Sequence, residues 1–360
     1  MRGERYRPEQ KTVSLMKNRN LYLHIGFNKT GSSYIQKCLV ENNDGLRKMG
    51  FIYLGKSDAS YFQNNQHVPL AAALSKFDFY WLNNLKRKTI GKASDDFFRD
   101  LAATDQANVI VSSEAFGDVR LTDSDIENIL LSFHDFNVFV IAYIRRQDDY
   151  MLSAFQQDIK TGQATSSFNL KERIMLKQND FAKRLAPWRK ALSKERIIVR
   201  EYAKDQWFRN DLFLDFLNAI GVPEADWQLA TSVNEGLDYR EVDLLIRLNR
   251  HLENNLPELK FKPLRNKIRW IVLRTLQSLP APKNGRQKLR LSSAEIADIA
   301  KYFEASNKRL LGANRGGRFI PKPSEHHQGN TSQTKPSIPL MMKVIVALAK
   351  RLAQQKPAGN

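Results

Sequence analysis

The stretch Leu21–Leu39, LYLHIGFNKTGSSYIQKCL, decides the fold. Leu21, Tyr22, Leu23 and Ile25 are apolar or aromatic in a run of β-formers, which predicts a buried strand. A polar loop bounded by Gly26 and Gly31 follows, with Lys29 at its tip, and Tyr34–Leu39 opens a helix. Strand, loop and helix in that order, with a lysine and small hydroxyl residues between them, is how a chain grips a phosphate. The free N–H groups and positive dipole end of the helix meet the anion, and Gly31 lets the backbone come close. In the ATP- and GTP-binding P-loop, GxxxxGK[ST], the lysine follows the second glycine. Here the order Gly26-Phe27-Asn28-Lys29-Thr30-Gly31-Ser32-Ser33 puts it before. That order, and the lack of a Walker B aspartate, argue against a nucleotide kinase or NTPase, the alternative within the same fold class.

Outward from this stretch, apolar β-rich runs recur at Phe51–Leu54, Asn108–Val111, Val138–Ile144 and Arg196–Tyr202, each followed by a helical pattern. Helices are expected over 32–43, 68–75, 93–103, 147–160, 179–193, 206–220 and 238–254, with Gly221-Val222-Pro223 closing the one at 220. Alternation of this kind, with strands apolar throughout, predicts an α/β fold: a P-loop-like parallel sheet flanked by helices. Phosphate-binding loops then belong at the carboxyl ends of the strands. Beyond about residue 255 the chain turns basic, with helical spacing over Ile268–Leu279 and a helix over Leu291–Leu311 that starts at Ser292 or Ser293 with Glu295 in a capping box. The expected organisation is a loose N-terminal extension over 1–19, one domain over 20–320, a Pro/Ser-rich linker over 321–338 and a basic amphipathic helix over 339–355. That last helix either docks on protein or lies on an anionic membrane surface.

The 360 residues hold 57 Lys+Arg against 38 Asp+Glu, a net charge of +19, which calls for anionic partners. No zinc-finger, RNA-recognition or homeodomain pattern is present, so nucleic acid is not the expected partner. The single cysteine, Cys38, excludes an internal disulfide and fits a reducing compartment. The polar, basic N-terminus has no apolar core of a signal peptide, and no run of about 18 apolar residues predicts a membrane span. One cysteine and no close His/Cys spacing give no zinc site, and no metal is expected.

A second motif, YIRRQDDYMLSAFQQ (Tyr143–Gln157), runs from the end of the Val138–Ile144 strand into a helix. Arg145, leaving the strand, and Ser153, eight positions on, can converge on one phosphate, the arginine as a planar two-pronged donor and the serine as a hydroxyl. Together the two motifs resemble those of the sulfotransferases that use 3′-phosphoadenylyl sulfate (PAPS). KTGSS resembles their 5′-phosphosulfate loop, KTGTT, and RRQDDYMLS resembles RDPxDxxxS, whose arginine and serine hold the 3′-phosphate. The segments NQHVPLAAAL, VIVSSEAF and IIVREYAKDQWFRNDLFLDFLNAIGV are similar to segments of a bacterial subgroup, so the resemblance covers residues 20–312. Departures are Ser32-Ser33 for Thr-Thr, Gln147 for proline, Arg146 for aspartate, and a missing KxGxxGxWK segment. The last leaves a third 3′-phosphate contact open, with Arg315 or Arg318 as candidates.

The resemblance implies a sulfotransferase fold and in-line transfer of a sulfuryl group from PAPS to an acceptor, without a metal. Lys29 would neutralise charge on the leaving phosphate oxygen, and Thr30, Gly31, Ser32 and Ser33 would hold the 5′-phosphate. Two residues compete as the base for the acceptor: His67, opening a helix, similar in place to the histidine of heparan 2-O- and 6-O-sulfotransferases, and Glu114, ending the NVIVSSE strand. The acceptor implied is a carbohydrate hydroxyl of a polysaccharide or glycolipid, and the expected location is cytoplasmic, peripheral to the inner membrane face. A non-enzymatic binder of anionic surfaces, using the basic C-terminal third, is the rival from another class.

Overall fold

The structure is a computed structural model, which describes residues 19–55, 58–75, 87–231, 236–258, 260, 262–280 and 287–312. The chain is an α/β protein built on one five-stranded parallel sheet. In chain order the elements that matter are β1 (Arg19–His24), α1 (Ser32–Glu41), β2 (Phe51–Tyr53), α2 (Val68–Ser75), α3 (Arg87–Ala102), β3 (Asn108–Ser112), α4 (Asp123–Ser132), β4 (Phe136–Ile144) and α5 (Gln147–Thr161). They continue with α6 (Phe181–Ala191), β5 (Ile197–Glu201), α7 (Leu212–Ala219), α8 (Tyr239–Asn255), α9 (Lys262–Ser278) and α10 (Ser293–Leu311). The sheet order is β2-β3-β1-β4-β5, with β1 in register against β3 and β4 (His24 opposite Ser112 and Ile141).

Each expected strand is present, and the physical reason is the expected one. Val109, Ile110 and Val111 of β3 and Val140, Ile141 and Ala142 of β4 are fully buried in unbroken succession, so these strands are covered on both faces as continuous apolar runs allow. Tyr22 stacks between Phe51 and Phe139 at ring distances of 5.9 and 5.5 Å, tying three strands together on one face. Because β1 has β3 on one side and β4 on the other, the chain reverses its direction of strand addition beside β1. In such sheets the crevice for a ligand opens at the carboxyl ends of the strands at that point.

The described residues divide into two compact units. The first comprises 19–145, 180–231 and 306–312 and contains the whole sheet; the second comprises 146–179 and 236–305. The stretch read as one domain from sequence, 20–320, thus spans parts of both units. The second unit packs α5, α8, α9 and the part of α10 before residue 306 around Met151, Phe155, Ile159, Leu245, Leu276 and Phe303. Inside it, Asn249 Nδ2 donates to the carbonyls of Ile159 and Ala164 at 2.8 and 2.9 Å, and Arg269 Nε donates to Asn249 Oδ1 at 2.8 Å. Gly162, at φ +82°, caps α5 where a Cβ would strike the Arg269 guanidinium.

Two local differences from the sequence reading have identifiable causes. α4 was not expected; it starts on a capping box in which Thr122 and Asp125 bond reciprocally, with aspartate in place of the commoner Glu or Gln. The helix expected from 206 starts only at Leu212, because Arg209 and Asn210 sit at positive φ and Asp211 caps the amides of Phe213 and Leu214. At α10 the box is as read: Ser292 Oγ accepts from the Glu295 amide, and the Ser292 amide donates to Glu295 Oε2. The residues 1–18, 321–338 and 339–355, and with them the terminal helix, lie outside the described residues, as do Arg315 and Arg318.

Candidate functional site

The site is built in the first unit from the carboxyl ends of β1, β3 and β4. After β1, the Ile25 amide donates to the Ile141 carbonyl and keeps the chain on the sheet for one more residue. The loop then turns on Phe27, which is fully buried and stacks on Phe181 at 5.4 Å, with the Arg184 guanidinium 3.8 Å from its ring centre. An aromatic pinned between a ring and a cation anchors the loop at its middle. The Thr30 amide and hydroxyl both donate to the Phe27 carbonyl, at 3.2 and 2.5 Å, closing the turn. Lys29, at the tip, is held at φ +67°, a left-handed conformation that costs a non-glycine residue about 1 kcal/mol or more.

Both loop glycines answer to close packing. A Cβ on Gly26 would lie 2.3 Å from Ser32 Oγ, and one on Gly31, at φ +78°, 2.2 Å from the Leu212 side chain and 2.9 Å from the Tyr202 ring. Ser32 Oγ is buried and makes no hydrogen bond of ordinary geometry. The amides of Gly31, Ser32 and Ser33, in the first turn of α1, find no acceptor among the described hydrogen bonds. A buried hydroxyl and unfilled helix-terminal amides beside a lysine suit an anionic oxygen, and phosphate is the common group that fits.

Arg145 leaves the end of β4 beside this loop. Its Nη1 donates to the Lys29 carbonyl at 3.3 Å, and its guanidinium lies 5.3 Å from the centre of the Tyr202 ring. The backbone under it is fixed by the Tyr202 amide donating to the Ile144 carbonyl at 2.6 Å. Fully buried Asp215 accepts from the Tyr143 hydroxyl at 2.6 Å, from the Phe208 amide at 3.0 Å, and from Arg200 through two nitrogens. That network clamps β4 and β5 to α7 and so fixes where Arg145 emerges. A carboxylate with this many donors is satisfied despite its burial.

Glu114 opens a 3₁₀ turn, Glu114–Gly117, just past β3, with Ser113 Oγ capping the Ala115 amide. The side chain is half-buried. Burial raises its carboxyl above the usual range, while Ser32, Lys29 and Arg184 pull the other way. Arg184 reaches this turn as well, donating from Nε and Nη2 to the Gly117 carbonyl at 3.2 and 2.6 Å. A Cβ on Gly117 would lie 2.3 Å from the Ile25 carbonyl oxygen, so the turn sits flush against the start of the loop.

His67 stands just before α2, as expected, but both of its ring nitrogens face backbone groups. It is fully buried. Nε2 pairs with the Leu54 carbonyl at 2.5 Å, and the Ser112 amide donates to Nδ1 at 3.2 Å, which one neutral tautomer satisfies. Tyr53 and Phe62 stand edge-on at 5.1 Å, and Tyr61 stacks at 6.2 Å. Burial pushes its pKa down to about 4.

The first unit thus brings Lys29, Thr30, Gly31, Ser32, Ser33, Glu114 and Arg145 to one edge of the sheet, and leaves His67 enclosed. Ser153, half-buried on α5, belongs to the second unit. Arg184, Phe27, Tyr202 and the Asp215 network carry no motif spacing; only the tertiary fold recruits them. Among the described residues no group of three His, Cys, Asp or Glu is placed to hold a metal ion, and no helix is long and apolar enough to cross a membrane.

No protein-family model matches the chain. An uncharacterized protein of Archaeoglobus fulgidus is 30% identical over 210 residues, 56% of this chain and 52% of that protein. The chain spans about half the length of the curated relative it matches. Among solved structures, a sulfotransferase from Alicyclobacillus acidocaldarius aligns with 68% of this chain and 99% of its own at 16% identity and a TM-score of 0.40.

Proposed function

We propose that the chain is a PAPS-dependent sulfotransferase acting on a carbohydrate hydroxyl of a polysaccharide or glycolipid. The observation that carries this reading is the hydrogen bond from Arg145 to the Lys29 carbonyl. It joins, at the ends of neighbouring strands, the two motifs whose resemblance to the 5′-phosphosulfate and 3′-phosphate motifs was drawn from sequence alone.

PAPS supplies the sulfuryl group to be transferred. In this reading the amides of Gly31, Ser32 and Ser33 and the hydroxyls of Thr30, Ser32 and Ser33 bind the 5′-phosphate. Lys29 offsets the negative charge that grows on the leaving oxygen. Arg145 holds the 3′-phosphate through its planar fork, and the resemblance gives Ser153 the second contact. Glu114 is the base we favour over His67. Its carboxyl is half-buried beside Lys29, and burial raises its pKa, which makes its carboxylate a better proton acceptor. His67 has both ring nitrogens committed to backbone.

The test is transfer of radiolabelled sulfuryl from PAPS to glycan and lipid extracts, with release of 3′-phosphoadenosine 5′-phosphate (PAP) followed in parallel. Wild-type protein is expected to turn over and Lys29→Ala to lose about 10²–10³-fold in rate. Equal turnover by Lys29→Ala would sink the proposal.

A further inference from the structure

The outward face of α9 has no part in the site above. Its inward face is apolar in the ordinary way: Val272 and Leu276 are buried in the core of the second unit. On the opposite face Leu264, Lys267, Trp270 and Arg274 form one stripe at helical spacing, and all four are exposed. Leu264 is 45% and Trp270 57% exposed. The Arg274 guanidinium lies 5.2 Å from the centre of the Trp270 ring. The segment of sequence that holds the stripe is basic: residues 259–294 carry ten Lys and Arg and no Asp or Glu.

We infer that this face of α9 is a docking surface for an anionic lipid membrane. A helix that puts tryptophan and leucine on the face that carries its basic residues matches the headgroup boundary of a bilayer. There the indole and the leucine enter the acyl edge, and the cations pair with lipid phosphates. Charge alone would suit a polysaccharide or nucleic acid equally, but neither gains from an exposed leucine. The chain's own residues 313–360 are not a complementary cover, since they carry eight Lys and Arg against one Glu. The surface is independent of the sulfotransferase reading and stands or falls without it.

The test is flotation of the full-length protein with vesicles of phosphatidylcholine alone and with about one third phosphatidylglycerol. The wild type is expected to float only with the anionic vesicles, less so as salt rises. Leu264→Glu with Trp270→Glu is expected to lower the bound fraction about tenfold or more. Both residues are exposed, so circular dichroism and melting should match the wild type. Brominated acyl chains should quench tryptophan fluorescence in the wild type and clearly less in Trp270→Phe. The inference fails if the double variant floats like the wild type. It also fails if Lys343→Glu with Lys350→Glu and Arg351→Glu alone abolishes flotation, or if only a soluble polyanion such as heparin binds.

Discussion

Glu114 and His67 flank the end of the same strand, and their surroundings are opposite. Glu114 lies one residue beyond Ser113, whose amide bonds β1, and it shares its space with Lys29, Ser32 and Arg184. His67 bonds the backbone of Ser112, two residues earlier, and is walled in by Tyr53, Tyr61 and Phe62. Both groups are shifted by burial, the carboxyl upward and the imidazole downward. Only the carboxyl keeps solvent access and cationic company. An ionisable group near the Lys29 loop is therefore no guide to chemistry by itself; access and unspent hydrogen-bonding capacity decide it.

The largest effect that would break or support this contrast is on turnover. Glu114→Gln should lower kcat by about 10²–10⁴-fold, with PAP binding largely kept. In the wild type the rate should rise with pH through the raised Glu114 pKa, and that acid limb should vanish in the variant. An unchanged profile would remove Glu114 from the base role. His67→Ala should act on the other side of the comparison. It leaves the Leu54 and Ser112 backbone groups unpaired inside an aromatic box, which costs about 2–4 kcal/mol in a urea melt. The folded fraction should keep its turnover, and a specific loss of kcat in folded His67→Ala would reverse the assignment.

A smaller effect separates the two by pH. His67 is held neutral, with its folded pKa pushed to about 4, and His24, buried beside Ser112 Oγ at 2.8 Å, to about 3. Unfolding lets both take protons near their ordinary pKa of about 6.5. The unfolded state then binds more protons, so stability is full above that value and falls as pH drops towards the folded pKa values. Each histidine should contribute a slope of up to about 1.4 kcal/mol per pH unit across that window. Urea midpoints of the wild type and His67→Phe, followed from pH 6.5 down to about 4, should differ in slope by one histidine's share. Parallel slopes would mean that His67 is protonated in the fold.

Most of the scaffold of this contrast was legible in the sequence, because it is written locally. Continuous apolar runs gave all five strands, and Gly26 and Gly31 marked the loop that bends between β1 and α1. Arg145 was readable because it ends a strand eight residues before a serine. The environment of His67 was not readable, since Leu54, Phe62 and Ser112 surround it only once β2 and β3 pair. Arg184 escaped for the same reason: nothing in FAKRLAPWRK marks one arginine, and it becomes distinct when α6 lays it over Phe27. α4 was missed for a local reason, an Asp where the capping pattern usually has Glu or Gln. The division into two units was invisible because the second is assembled from two separated stretches.

The most direct measurement of the paired Lys29 and Arg145 edge is calorimetric titration of PAP into wild-type protein and into Arg145→Ala. The guanidinium is half-buried, and a charge-assisted phosphate contact of this kind contributes about 1.5–3 kcal/mol. The wild type should bind PAP without added metal, and Arg145→Ala should bind about 10–150-fold more weakly. Identical affinities, or a wild type that ignores PAP and binds ATP with magnesium instead, would contradict it.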